Sequence, residues 1–135
     1  FCQRRLNDAN RPMLKHKMYY NFLLRWMEEK AAGNSIENCL LQKEIRTIAI
    51  YGMGKIGKLI YEELKGSSIR VAYLIDRSPD SSIQGEDVIF VKPEETEKCA
   101  DVDAILVTSI ASYQDIKNSL KQKNITNVMS LDTLW

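Results

Sequence analysis

Two hydrophobic periods run along this chain, and the change from one to the other divides it near residue 45. From Met13 to about Ala32 the apolar residues Leu14, Met18, Tyr19, Phe22, Leu23, Trp26 and Met27 recur at helical spacing, which predicts a long amphipathic helix with a wide apolar face. Gly33-Asn34 supplies its stop. The residues ahead of it, Phe1 to Arg11, are polar and basic and read as a tail or linker, with Pro12 at the edge of the helix. Ser35 resembles an N-cap for a short second helix carrying Ile36, Cys39, Leu40 and Leu41.

Beyond residue 45 the apolar residues come in short continuous runs: Thr47–Tyr51, Ile69–Ile75, Val88–Val91, Ala104–Thr108 and Ile125–Met129. Strands of a parallel sheet, buried on both faces, have this pattern. Between the first two runs, Ile56, Leu59, Ile60 and Leu64 form one helical face, with Lys55, Lys58, Glu62, Glu63 and Lys65 opposite. Ile110 to Lys123 predicts another helix with Tyr113, Ile116 and Leu120 inward, and Pro93 to Glu97 a brief acidic one. Arg77 to Asp87, rich in Ser, Asp, Pro and Gly, reads as a loop where a regular unit would place a second crossover helix. Strand and helix thus alternate, and the expected fold is α/β: a three-layer Rossmann-like domain over residues 46–135, with a mostly parallel sheet of about five strands. Residues 1–45 form an N-terminal tail and helical extension.

The first strand runs straight into Gly52-Met53-Gly54-Lys55-Ile56-Gly57, a G-x-G-x-x-G turn between strand and helix. Each glycine has its own task there: Gly52 turns the chain sharply, Gly54 leaves room for a phosphate beside the backbone, and Gly57 lets helix and strand pack closely. The first helical turn offers N–H groups and the positive end of the helix dipole to an anion, with Lys55 in reach of a phosphate. The second strand ends in Asp76, about 20 residues beyond Gly57, the position from which a carboxylate accepts hydrogen bonds from a ribose. Arg77 beside it could meet a 2′-phosphate, although with Asp76 in place it is more often a solvated neighbour. Thr108 and Ser109 follow the fourth strand, across the crevice, where open α/β sheets bind ligands. Each feature has a plainer reading: a tight turn without ligand, a solvated turn acid at Asp76, and helix capping by Ser109 or Ser112.

Composition narrows the chemistry. With 19 basic and 18 acidic side chains, no net field favours nucleic acid or an anionic membrane, so phosphate binding must be local. Cys2, Cys39 and Cys99 are odd in number and far apart, which predicts neither a disulfide framework nor a metal site and fits a reducing cytoplasm. No apolar run approaches the ~20 residues of a membrane span. His16, the one histidine, lies far in sequence from the glycines and is expected to face solvent. Tyr113 and Lys117 form a Y-x-x-x-K pair, but Tyr51 with Lys55 and Tyr61 with Lys65 match equally, so no catalytic residue is assigned. The chain begins at Phe1 rather than Met, and is expected to be a piece of a longer polypeptide.

Four stretches, NFLLRWMEEKAAGNSIENCL (Asn21 to Leu40), IAIYGMGKIGKLIYEEL (Ile48 to Leu64), VAYLIDRSPDS (Val71 to Ser81) and VDAILVTS (Val102 to Ser109), carry a resemblance. The chain resembles small Rossmann domains of bacterial surface-polysaccharide proteins, appended to glycosyltransferases, preceding sugar acetyltransferases, or found in nucleotide-sugar epimerases and dehydratases. The resemblance implies a nucleotide or nucleotide-sugar ligand, with NAD(P) the other candidate, on Gly52, Met53, Gly54, Lys55 and Ile56, and Asp76 near its ribose. It also implies service to a larger glycan-assembly polypeptide. The chain carries no transferase, acetyltransferase or epimerase segment, so the expected function is an accessory nucleotide-binding domain that is not catalytic alone. Two alternatives stay open: the cofactor half of an NAD(P)-dependent nucleotide-sugar dehydrogenase or epimerase, and a vestigial Rossmann fold acting in assembly as a homo-oligomer through its N-terminal helix.

Overall fold

The structure, a computed structural model, describes residues 2–78, 88–99 and 101–135, with side chains from residue 12 onward. Helices α1 (Cys2–Ala31) and α2 (Ile36–Gln42) lead into strand β1 (Thr47–Tyr51), helix α3 (Lys55–Leu64), and strands β2 (Arg70–Ile75), β3 (Ile89–Val91) and β4 (Ala104–Val107). Helix α4 (Tyr113–Lys121) and strand β5 (Val128–Ser130) complete the order, with 3-10 turns at Pro93–Lys98 and Leu131–Thr133. The five strands form one sheet in the order β3-β2-β1-β4-β5, with every neighbouring pair parallel. This is the expected α/β architecture with an N-terminal helical extension.

Alternation along the strands sorts the core into two layers. Ile48, Ile50, Leu74, Ala104 and Leu106 pack with Phe22 and Trp26 of α1, Ile36 and Leu40 of α2, and Ile60 and Leu64 of α3. Ala49, Tyr73, Ile75 and Ile105 face the other way, onto Leu120 and Ile116 of α4. Helices therefore cover both faces, which is the third layer the fold requires.

The extension docks through a polar hub as well as through apolar packing. The Glu63 carboxylate on α3 accepts from Trp26 Nε1 at 3.2 Å, Lys30 Nζ at 2.8 Å and the Ile36 N–H at 3.3 Å. It thereby ties α1 and α2 to the helix behind the glycine turn. Ser35 caps α2 as expected, its hydroxyl accepting from the Asn38 N–H. Gly33 takes a positive φ of 86° at the end of α1, as a left-handed C-terminal stop requires.

Three expectations are corrected. Residues 2–11 are helical and continuous with the rest of α1, and not a tail, so Pro12 lies inside the helix. A proline there costs one backbone hydrogen bond to the preceding turn, while Leu6, Ala9, Met13, Leu14 and Lys15 on either side are strong helix formers. On α3 the buried stripe is Gly57, Ile60, Tyr61 and Leu64, whereas Leu59 is 54% exposed, because the glycine brings its own side of the helix against the sheet. Glu63, placed on the solvent face, is the hub just described. The loop expected over Arg77 to Asp87 falls mostly outside the described residues.

Candidate functional site

The sheet order reverses at β1: α3 carries the chain from β1 to β2 on one side, and β4 pairs with β1 on the other. The carboxyl ends of β1 and β4 therefore bound a crevice at a topological switch point, the place where open α/β sheets bind ligands. The glycine turn lies in it. Gly52 has φ 100° and donates its N–H to Ile75 O at 2.8 Å. A side chain there would be strained by the backbone and would also meet Thr108 Oγ1 at 2.6 Å. At Gly57 a Cβ would stand 2.1 Å from the Gly52 carbonyl oxygen, so only glycine allows α3 to begin against the turn. Around Gly54 a Cβ would meet no heavy atom within 4 Å. Its space opens outward, on the side where the first N–H groups of α3 emerge with no side-chain cap.

The predicted contacts separate into two groups. Gly54, Lys55 and Arg77 are exposed and Ser109 is half-buried. Ile56 is half-buried and packs against the core cluster. Met53, Asp76 and Thr108 instead build the turn itself. The Met53 side chain is buried in the core, and its N–H donates to Asp76 Oδ2 at 2.7 Å. The other oxygen of Asp76 accepts from the Ser78 N–H at 3.2 Å. The Thr108 hydroxyl is buried and donates to the Gly52 carbonyl at 2.7 Å. The side chain and the N–H of Met53 are thus both committed to the fold.

Tyr51, which the sequence pattern marked only as a strand end and a Y-x-x-x-K coincidence, stands at this edge. It is the last residue of β1, half-buried, on the face opposite Ile50. Burial pushes its phenol above the ordinary tyrosine range; Arg77 opposes that rise, and Asp76 and Glu94 add to it. Period-2 alternation beside the glycine turn was the signal that could have found it. Helix α1 also approaches the β4–α4 connection. Lys15 and His16, both exposed, line a 720 Å³ groove with Ser112 and Asp115. Ser112 stands at the N-cap of α4 without a side-chain capping bond. The Tyr113 hydroxyl donates to Val128 O at 3.3 Å and Lys117 Nζ lies 5.8 Å from the Tyr113 ring centroid, so this pair serves packing on β5.

Fold, strand order and glycine turn define a Rossmann-like α/β domain. Residues 44–129, which hold β1 to β4, the whole turn and all of β5 but its last residue, match the C2185-like, N-terminal family, and the chain belongs to it. Searches of curated proteins and of solved structures find no match. Among the described residues no helix is long and apolar enough to cross a membrane, and no three His, Cys, Asp or Glu side chains gather to hold a metal ion.

Proposed function

We propose that this chain is a nucleotide-binding domain that takes NAD(P) or a nucleotide-sugar at the glycine turn. In this reading it serves a larger bacterial polysaccharide-biosynthesis protein in the cytoplasm, needs no metal, and does not catalyse a reaction alone. The observation that carries the reading is Gly54. It needs no glycine for its own backbone, having φ −71°, and a side chain would touch no protein atom. A glycine there keeps clear the space in front of the uncapped α3 N-terminus, which suits the approach of a phosphate. In this reading Lys55, Ser109 and Arg77 meet the rest of such a ligand. The glycan setting rests on the resemblance of the four sequence stretches.

A second reading, a turn that has lost its ligand, is favoured by Asp76 and Thr108. Both spend their polar atoms on the turn, so a ribose would have to share or displace the Asp76 bond to Met53. One experiment separates the readings. Dialysed protein is melted with NAD, NADP, UDP- and CDP-sugars and coenzyme A, beside a Gly54→Ala variant. A ligand at about a hundred times its Kd adds roughly 2.7 kcal/mol, a shift of several degrees. The proposal expects such a shift in the parent protein and its loss in Gly54→Ala at unchanged unliganded Tm. A shift with NAD or NADP selects the oxidoreductase-type cofactor, and a shift with nucleotide-sugars alone selects the glycan-accessory role. No shift with any compound defeats the proposal in favour of the second reading.

A further inference from the structure

Among the described residues, five of the seven large apolar side chains that stand exposed lie on α1: Met13, Leu14, Tyr20, Leu24 and Met27. Four of them fall in one line. At about 100° per residue, Tyr20 and Leu24 lie roughly 160° around the helix from the buried Phe22, Met27 about 140° and Met13 about 180°. Their exposures are 71% for Met13, 62% for Tyr20, 46% for Leu24 and 52% for Met27. Helix α1 thus has a second apolar face, opposite the one that docks Phe22 and Trp26. A helix needed only to cover the sheet would present polar residues there.

We infer that this outer stripe pairs with the same stripe of a second copy of the chain, with the two α1 helices antiparallel. The argument for that occupant is charge. Lys17 and Glu28 flank the stripe on the same side, and neither makes an ion pair among the described residues. Arg25 and Lys30 are already matched, to Glu29 at 3.0 Å and Glu63 at 2.8 Å. In an antiparallel pair with its two-fold axis between residues 22 and 23, Lys17 lies level with Glu28 of the second copy, and like flanks meet. Two symmetric ion pairs then bracket a seam in which Tyr20 lies beside Leu24 of the second copy. A parallel pair sets Lys17 level with Lys17 and brings unlike flanks together, forming neither pair. Because the docked and outer faces of α1 are opposite, the two domains lie on either side of the helix pair without collision. The described stripe is ~21 Å long, too small for the ~800 Å² per partner of a standard stable interface, so the dimer dissociates on dilution.

Sedimentation velocity over a wide concentration range tests this, with circular dichroism and Trp26 fluorescence as fold controls. The chain is expected to shift from monomer to dimer as concentration rises. Leu24→Glu should raise the dimer Kd by at least about tenfold. Lys17→Glu should weaken the dimer and Lys17→Glu/Glu28→Lys should restore it. A chain that stays monomeric throughout overturns the inference, as does a dimer indifferent to Leu24→Glu. A dimer indifferent to Lys17→Glu overturns the antiparallel arrangement. Binding to phosphatidylserine vesicles by a chain that does not self-associate would assign the stripe to membrane surface instead. None of these outcomes depends on whether the glycine turn binds a ligand.

Discussion

Replacing Gly57 by alanine sets two effects of known size against each other. Within a helix, alanine is better than glycine by about 1 kcal/mol. Against that, the new Cβ would lie 2.1 Å from the Gly52 carbonyl oxygen and 3.1 Å from its carbon. A carbon normally keeps about 3.3 Å or more from a carbonyl oxygen, so something must move by roughly 1 Å. Gly52 is poorly placed to move: its N–H is held by Ile75 O, its carbonyl by the Thr108 hydroxyl, and its φ is 100°. Helix α3 must yield instead, which loosens the buried Ile60, Tyr61 and Leu64. Overpacking of this kind costs about 1–3 kcal/mol, occasionally more, and a backbone clash belongs at the upper end. The expected net loss is ~2 kcal/mol, or a fall in Tm of about 6–8 °C in a domain this size. Urea unfolding followed by circular dichroism reads it as a lower midpoint at unchanged m. Gly54→Ala is the matched control, expected within ~0.5 kcal/mol of the parent because lost N-cap preference and reduced unfolded-state entropy offset. A Gly57→Ala protein as stable as the parent would refute the close helix-strand approach.

Two further outcomes follow from polar contacts. Glu63→Ala removes the acceptor shared by Trp26, Lys30 and the Ile36 N–H; with Lys30 half exposed its ion pair adds little, and the expected cost is ~2 kcal/mol with a red shift in the tryptophan emission. Asp103 accepts from the Arg46 N–H at 2.8 Å and the Thr47 N–H at 3.1 Å, and these bonds hold its carboxyl below the usual aspartate range. A lowered folded pKa stabilises above the unfolded value of about 3.9 and the benefit is lost as pH falls through the folded value. Acid unfolding of Asp103→Asn, compared with the parent from neutral pH to below 3, should therefore show a weaker pH dependence; identical pH profiles would contradict the assignment.

How legible the molecule was in its sequence depended on the range of the interaction. Strand positions and the tasks of Gly52, Gly54 and Gly57 follow from local pattern, because period and backbone sterics act over a few residues. The use made of Asp76 and Thr108 does not. Sequence places both at the crevice, but whether an oxygen there meets a ligand or a backbone group depends on a partner 23 or 56 residues away. Glu63 shows the same limit, since helical periodicity assigns it to solvent while tertiary packing brings Trp26, Lys30 and Ile36 to it. The outer stripe of α1 was not read from the periodicity, which took Met27 alone of its four residues into the wide apolar face; separating two opposite faces needed the docking of Phe22 and Trp26.

That docking bears on where the domain begins. With strand order β3-β2-β1-β4-β5 and right-handed crossovers, α3 and α4 cover opposite faces on opposite sides of β1. Half of each face is then left without a crossover helix, and the half over β4 and β5 on the α3 side has to be covered by something else. Helix α1 and the C-terminal turn supply the cover: Phe22 packs tilted against Trp26 at a centroid distance of 5.6 Å and stacks on Trp135 at 6.0 Å, in one cluster with Leu106 and Leu131. The buried Cys39 thiol, its pKa raised chiefly by burial, donates to the Leu134 carbonyl and ties α2 to the same corner. Phe22 and Trp26 are 5% and 3% exposed, and losing each is worth about 3–5 kcal/mol. Together that is comparable with the whole stability of a small domain, about 5–15 kcal/mol. A chain lacking residues 1–34 is therefore expected to lose cooperative unfolding, although the family match begins only at residue 44. A truncated protein that unfolds sharply in urea, with m close to that of the parent, would show that the sheet and its two crossover helices stand alone and that α1 is an appendage.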